Sequence, residues 1–418
     1  LAAQSDRMFW KFKAYGLLKN LRFFDPFLIL FFRDAGLTFL AIGSLYAIRE
    51  IATNILEIPT GVGADAFGRR RAMTAAFAAY LGAFALFGLC ASYAAFSAAM
   101  LLFALGDALR SGTHKAMILE HLRQSGAEDQ RVAYYGRTRA ASQFGSALAA
   151  LVGAGVVFWT GAYRMVFLAS MFPYVLGLLL MFSYPRSLDG YVERMQWSWQ
   201  GVLARLRDTL RTSVLALRSP LLLRGLFSGA TFDAVFRSTK DYLQPILQAQ
   251  ALALPILATY QEEQRVGMIV GGLFFLIYLA TSFASSRAGN VQRRARSLSV
   301  AVNAAYLVGM GLLAIAGLFA ATRWPPGAIV AYLLLYTVQN VRRPMVVGYV
   351  SERIDHRMMA TGLSVETQLR TILTAAFAPL MGLMADQLGV GLAVLALGAF
   401  ALVGYPLIRL RELPRTEP

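Results

Sequence analysis

The chain has 418 residues, of which 57% are hydrophobic and only 15% charged, and its mean hydropathy is +0.53. Soluble domains carry about 25% charged residues, so this balance excludes an ordinary water-soluble protein. The formal net charge of +17 would suggest nucleic acid in a soluble chain, but here the basic residues fall in short connections between apolar blocks, with no appended polar domain to bind it.

Four blocks, Phe77–Ala91, Met165–Tyr184, Val266–Ser286 and Gly389–Ile408, contain no acidic or basic residue. They approach or reach the ~18–20 residues that cross hydrocarbon as a helix. Backbone groups in lipid must be bonded within their own segment, which selects helices over isolated strands. The single cysteine, Cys90, excludes a disulfide framework and a thiolate metal site. Three histidines, His114, His121 and His356, are too few for a His-rich metal centre. No metal and no cofactor is expected.

In chain order, a polar, basic start (Gln4 to Lys13) shows no cleavable signal peptide, and Leu1 in place of Met fits a processed or trimmed start. The first span, 14–35, carries Arg22 and Asp25. The second, 39–63, carries Arg49, Glu50, Asn54 and Glu57. The third, 72–92, has no charge in its interior. The fourth, 94–120, holds Asp107, Arg110, His114 and Lys115, and the fifth, 132–158, holds Arg137, Arg139 and Gln143. The sixth, 163–184, is free of charge. A long polar connection follows, in which Leu203, Leu206, Leu210, Val214 and Leu217 recur at helical spacing among Arg205, Arg207, Arg211 and Arg218. That pattern fits either a helix lying on the anionic inner leaflet or a simple tether. The seventh span, 221–247, carries Asp233, Arg237, Lys240 and Asp241. The eighth and ninth, 265–286 and 298–321, are apolar. The tenth, 327–350, carries Gln339, Asn340, Arg342 and Arg343, the eleventh, 360–386, Glu366 and Arg370, and the twelfth, 389–409, none. The expected fold is therefore an all-α membrane protein with twelve transmembrane helices in two pseudo-symmetric six-helix bundles. Residues 1–184 form one half, 185–220 a cytoplasmic linker with an amphipathic helix, and 221–418 the other half.

With the N-terminus in the cytoplasm, about 24 Lys/Arg fall on the inner side against about 4 outside. This contrast fixes the expected orientation, with both termini cytoplasmic.

A charge at mid-membrane costs ~2.5–3.5 kcal/mol or more, so it should face a partner or a wet cavity. Asp107, Arg110 and His114 share a helical face, as do Glu50, Asn54 and Glu57. Asp233, Arg237, Lys240 and Asp241 form a stripe, and Glu366 and Arg370 are an i, i+4 pair. Charge is thus confined to particular helices, with spans 3, 6, 9 and 12 expected outside against lipid. A polar cavity through a two-part bundle is what a transporter needs.

Between spans 2 and 3 lies Gly61-Val-Gly-Ala-Asp65-Ala-Phe-Gly68-Arg69-Arg70-Arg71. It resembles the G-x-x-x-D-x-x-G-R-R loop signature of the major facilitator superfamily. The resemblance implies two six-helix halves, spans 1, 4, 7 and 10 around the cavity, and a cytoplasmic gate at Gly61, Asp65, Gly68, Arg69 and Arg70 that latches the outward-facing state. The start of span 11, near 360–362, would supply the facing helix N-terminus. Arg110 to Glu120 has a counterpart of the same length in Arg342 to Glu352, and Arg139 and Arg370 sit at nearly matching offsets. A second-half copy of the signature has decayed to Ser282, Ser286 and Gly289, with Arg293 and Arg294 displaced. The stretch Gly145 to Gly155 lacks the proline of the drug-exporter signature and fits helix packing instead.

The expected activity is secondary active transport of a small, anionic solute by alternating access, coupled to protons. Arg110 and Arg342 would bind the anion. Asp25, Glu50, Asp107 or Asp233 would carry the proton. Arg49, Arg139, Gln143, Arg237, Gln339, Asn340, Glu366 and Arg370 complete the candidate substrate-binding or coupling set. The alternatives are a proton-coupled exporter of cationic or amphipathic drugs, and, in another class, a transporter-like sensor or a membrane enzyme. No Gly-x-Ser-x-Gly, HExxH or paired His/Asp motif supports an enzyme. The partners expected are the substrate, protons and membrane lipids, with no nucleic acid, and the protein is expected to be a monomer in a bacterial inner membrane.

Overall fold

The computed structural model describes residues 7–127, 131–189, 200–203, 207, 220–255, 258–294, 297–351 and 359–410, the side chains of 131–133, 135–137, 139–140, 220–222, 285–294, 351 and 359–364 excepted. Regular structure among them is entirely helical. In chain order the helices are α1 (Arg7–Leu18), α2 (Leu28–Asp34), α3 (Phe39–Phe67), α4 (Arg69–Leu89), α5 (Tyr93–Arg110), α6 (Thr113–Gln124), α7 (Arg131–Thr160) and α8 (Met165–Phe182). Then follow α9 (Pro220–Thr239), α10 (Leu243–Ala253), α11 (Glu262–Arg294), α12 (Leu298–Ala321), α13 (Pro325–Ser351), α14 (Met359–Leu388), α15 (Val390–Val403) and α16 (Tyr405–Ile408).

Among the described residues, eight segments are long and apolar enough to cross a membrane: α3, α4, α5 with α6, and the apolar stretches of α7, α8, α11, α12 and α14. The remaining four crossings of the twelve are the first, seventh, tenth and twelfth. The tenth is weighed down by charge and the twelfth is short. The first and seventh are broken, and each break has a proline behind it. A ring at Pro26 or Pro245 removes one N–H and crowds the carbonyl four residues earlier. The chain answers with short tight turns at Asp25–Phe27 and at Lys240–Tyr242.

These breaks correct two expected stripes. Gly112, at φ +73°, divides the fourth crossing, so Asp107 and Arg110 lie on α5 and His114 on α6. Likewise Asp233 and Arg237 lie on α9, whereas Lys240 and Asp241 lie in the turn that follows it. The segment read as a loop between spans 2 and 3 is also helical: α3 runs through Phe67 and α4 begins at Arg69, leaving Gly68 alone as the turn. Most of the amphipathic stretch expected in the middle linker lies outside the described residues.

The chain forms two compact units. One comprises Leu1–Leu37, Ile48–Leu206 and Leu254–Leu279, and the other Thr38–Ala47, Arg207–Ala253 and Ala280–Pro418. They do not follow the halves of the chain, because α3 begins in the second unit and continues into the first, and α11 does the reverse.

Lipid supplies no hydrophobic drive between helices, so close shape fit must hold them together. In the first unit this is aromatic. Phe24, in the turn before α2, stacks on Phe167 of α8 at 4.8 Å, and Phe31 of α2 meets Phe96 of α5 edge-on at 5.4 Å. In the second unit it is close backbone approach between α12 and α15, where a Cβ added at Gly317 would overlap the backbone of Leu395 and one at Gly391 that of Ala321. Gly311, on the same helix α12, faces open space. Gly317→Ala is expected to lower the thermal midpoint in detergent by the equivalent of about 1–3 kcal/mol. Gly311→Ala should leave it unchanged or raise it; equal effects would show that the close approach does not hold the pair.

Candidate substrate and coupling site

In the first unit the charged side chains gather on one carboxylate oxygen. Asp107 Oδ1 accepts from the Tyr80 hydroxyl at 2.6 Å and from Arg110 Nη2 at 3.2 Å, and Arg22 Nη2 lies 3.6 Å away. Arg110 Nε also donates to the Tyr80 oxygen at 3.0 Å. Arg22 Nε donates to the Tyr174 hydroxyl at 2.9 Å, which in turn donates to the Lys19 carbonyl at 2.8 Å. The break after α1 makes that last bond available, because the carbonyls at the end of a helix have no partner inside it. Arg22 and Arg49 both lie over the ring of Phe103, at 5.0 and 5.7 Å, and Arg49 pairs with Glu50 at 3.1 Å. Arg22, Arg49 and Arg110 each keep about a quarter of their side-chain surface exposed, at 21, 27 and 26%. Three guanidinium groups thus converge around Phe103 and Asp107 while remaining partly exposed.

Tyr80 and Tyr174 sit on α4 and α8, the helices of the charge-free spans 3 and 6 expected outside against lipid. Each is buried on the inward face of its helix and lends a hydroxyl to the network. Gly106 makes this possible: a Cβ there would lie 2.8 Å from the ring of Tyr80. The sequence signal was a tyrosine centred in a charge-free span, where a hydroxyl needs a partner.

The second unit holds a drier cluster. Gln339 Nε2 donates to Asp233 Oδ1 at 2.7 Å, and Arg370 Nη1 stands 3.8 Å from Asp233 Oδ2. The carboxylate of Glu366 lies against Gly229, one turn before Asp233. Arg342 is 1% exposed. One of its Nη atoms donates to both the carbonyl and the hydroxyl of Ser228, at 2.9 Å each, and its guanidinium lies over Phe232 at 4.4 Å. Arg110 and Arg342, paired by the internal repeat, are therefore held differently. The first is partly exposed and ion-paired; the second is buried against a neighbouring helix by neutral groups, with its Nε lacking a hydrogen bond among the described residues.

The remaining candidates lie on several other elements. Asp25 opens the turn in the broken first span, half-buried. Gln143 is half-buried on α7, where the side chain of Arg139 lies outside the described residues. Arg237 is half-buried in the last turn of α9, and Asn340 bonds back to the Tyr336 carbonyl of its own helix. In the segment expected to form the gate, Asp65 is exposed on the last turn of α3, and Gly61 faces open space. Arg69 begins α4, and the backbone N–H of Arg70 donates to Asp189 Oδ1 at 2.7 Å. Asp189 was missed in the sequence; an acid just after the sixth span, near three consecutive arginines, was the available signal.

The helical crossings and the polar networks inside them define an integral membrane protein with charged side chains held between its helices. The chain belongs to the major facilitator superfamily, whose family pattern matches residues 20–367. The MFS-type transporter YxaM of Bacillus subtilis (strain 168), itself uncharacterized, is 36% identical over 107 residues. That stretch covers 25% of this chain and 26% of YxaM, so the match spans about a quarter of the curated relative. Solved structures of similar fold include the nucleoside transporter NupG (TM-score 0.76, 12% identity, 96% of this chain and 98% of that one). A peptide transporter POT in complex with sulfate gives TM-score 0.67 at 16% identity, covering 96% and 94%. The human organic anion transporter MFSD10 (TETRAN) gives 0.61 at 20%, covering 95% and 98%.

The unequal settings of the two arginines have a measurable consequence. Arg342→Ala removes both hydrogen bonds to Ser228 and opens a gap over Phe232, and should cost about 3 kcal/mol of stability in detergent. Arg110→Ala, at a partly exposed site, should cost about 1 kcal/mol. Thermal midpoints of the two purified variants check the ranking, and the opposite order would refute it.

Proposed function

We propose that the protein is a secondary active transporter that moves a small anionic solute by alternating access between its two halves, driven by protons. It would work as a monomer in a bacterial inner membrane, with both termini in the cytoplasm. The observation that carries this proposal is the convergence of Arg22, Arg49 and Arg110, partly exposed, around Phe103 and Asp107. An anionic group would compete with Asp107 for these guanidinium groups, whose planar forks suit carboxylate or phosphate. Arg342 is assigned the role of a brace between α9 and α13. Glu366, buried beside the turn that carries Asp233, is assigned the coupling proton. Asp65, Arg69 and Arg70 are assigned the inner gate.

A thermal-shift screen of the purified protein against metabolite classes at several pH values identifies the substrate. Flux in proteoliposomes then tests its class. Anions should compete with transport and lipophilic cations should not, and Arg110→Ala should abolish flux while the protein remains folded. Normal transport by Arg110→Ala, with inhibition by lipophilic cations, would replace this proposal with drug export. Glu366→Gln should lose accumulation driven by a pH gradient yet retain substrate exchange; loss of both would place the proton elsewhere.

A further inference from the structure

The signature at the end of α3 occurs a second time. Gly61-x-x-x-Asp65-x-x-Gly68 is matched, spacing for spacing, by Gly382-x-x-x-Asp386-x-x-Gly389 at the end of α14. The backbone repeats as well. Gly68 and Gly389 have φ of +98° and +83°, ψ of 138° and 158°, and each is the N-cap of the next helix. Gly68 N donates to the Ala64 carbonyl and Gly389 N to the Ala385 carbonyl, both at 3.1 Å. Both glycines occupy a conformation that side chains disfavour. Only the first copy is followed by arginines. In a twelve-span chain the second span and the eleventh end on opposite faces, and the positive-inside rule puts the arginine-bearing copy inside.

The second copy is engaged, and its partner is the start of α3. Asp386 accepts from the backbone N–H of Phe39 at 2.9 Å through Oδ1 and of Leu40 at 2.8 Å through Oδ2. Thr38 Oγ1 takes the next N–H, of Ala41, at 3.2 Å. The N–H groups that the first turn of a helix leaves without intrahelical partners are thus satisfied by a carboxylate from another helix, at the end where negative charge is favoured. Two glycines bring the backbones together. A Cβ at Gly382 would overlap the carbonyl of Phe39, and one at Gly43 that of Ala378. The same helix α3 carries the first copy at its other end.

We propose that Asp386 is the outer-face latch of the transport cycle, the reciprocal of the inner gate assigned to Asp65. It holds the first turn of α3 on the end of α14 and must release it for the outer face to open. Asp386 is exposed, so water can take over the N–H groups when the carboxylate leaves. That property suits a latch better than a permanent lock. The assignment rests on the alternating-access proposal, but its test needs neither substrate nor flux.

The test uses the full-length protein, purified in detergent, with Cys90→Ser removing the native thiol. Ile42→Cys places a reporter thiol on α3 at a position 1% exposed. Its rate of reaction with a maleimide should be slow in this parent and should rise roughly fivefold or more on adding Asp386→Ala, as expected for loss of a helix cap shifting a two-state balance. Asp386→Glu should restore a slow rate. Gly382→Ala, which wedges the two backbones apart and leaves the carboxylate in place, should also raise it and serves if Asp386→Ala fails to fold. Parent rates in both variants would overturn the latch. So would a fall in thermal midpoint with no change in labelling, because it would make Asp386 a static support. Failure of transport alone would leave these labelling results intact.

Discussion

Charge inside hydrocarbon has to be satisfied by the protein itself, and much of this structure follows from how that is done. In the first unit a single oxygen of Asp107 serves a tyrosine and an arginine, with a second arginine close by. The partners come from four helices or their ends: α1, α4, α5 and α8. Tyr80 reaches Asp107 across Gly106, and Tyr174 ties Arg22 to the open end of α1. The network therefore also specifies which helices pack together, in a medium that offers no hydrophobic gain for doing so. In the proposed function an anionic solute takes the place of Asp107 at guanidinium groups that are already oriented and only partly buried.

The second unit solves the same problem with neutral partners. Arg342 is held by Ser228 and by aromatic faces, not by a carboxylate within ion-pair distance among the described residues. A cation buried in this way fixes helix register strongly. The two units have thus taken related sequence elements, Arg110 to Glu120 and Arg342 to Glu352, toward different physical ends.

The helical class, the twelve crossings and the charged helices were legible because hydropathy and charge are local properties of the sequence. The breaks were less so. Pro26 and Pro245 stand in the sequence, but the hydropathy of a span does not register a missing N–H, so two crossings were read as continuous. Gly112 was hidden as well, because hydropathy does not register a positive φ. The roles of Tyr80 and Tyr174 were not legible from a map of charge, because a hydroxyl in an apolar span declares itself only when its partner is located. Arg110 and Arg342 look equivalent in the repeat, and nothing local distinguishes an arginine facing an aspartate from one facing a serine on a distant helix. The second G-x-x-x-D-x-x-G was in plain sight, but without flanking arginines it reads as an ordinary helix end until Asp386 is seen against Phe39 and Leu40.

The most direct test of the account is substrate-dependent flux by the purified protein in proteoliposomes, using an anion that raises its thermal midpoint. Saturable uptake into the vesicles, abolished when the same anion is present in excess outside as an unlabelled competitor, is the predicted result. A folded protein that binds the anion and moves none of it, with or without a pH gradient, would contradict the account and make the chain a sensor.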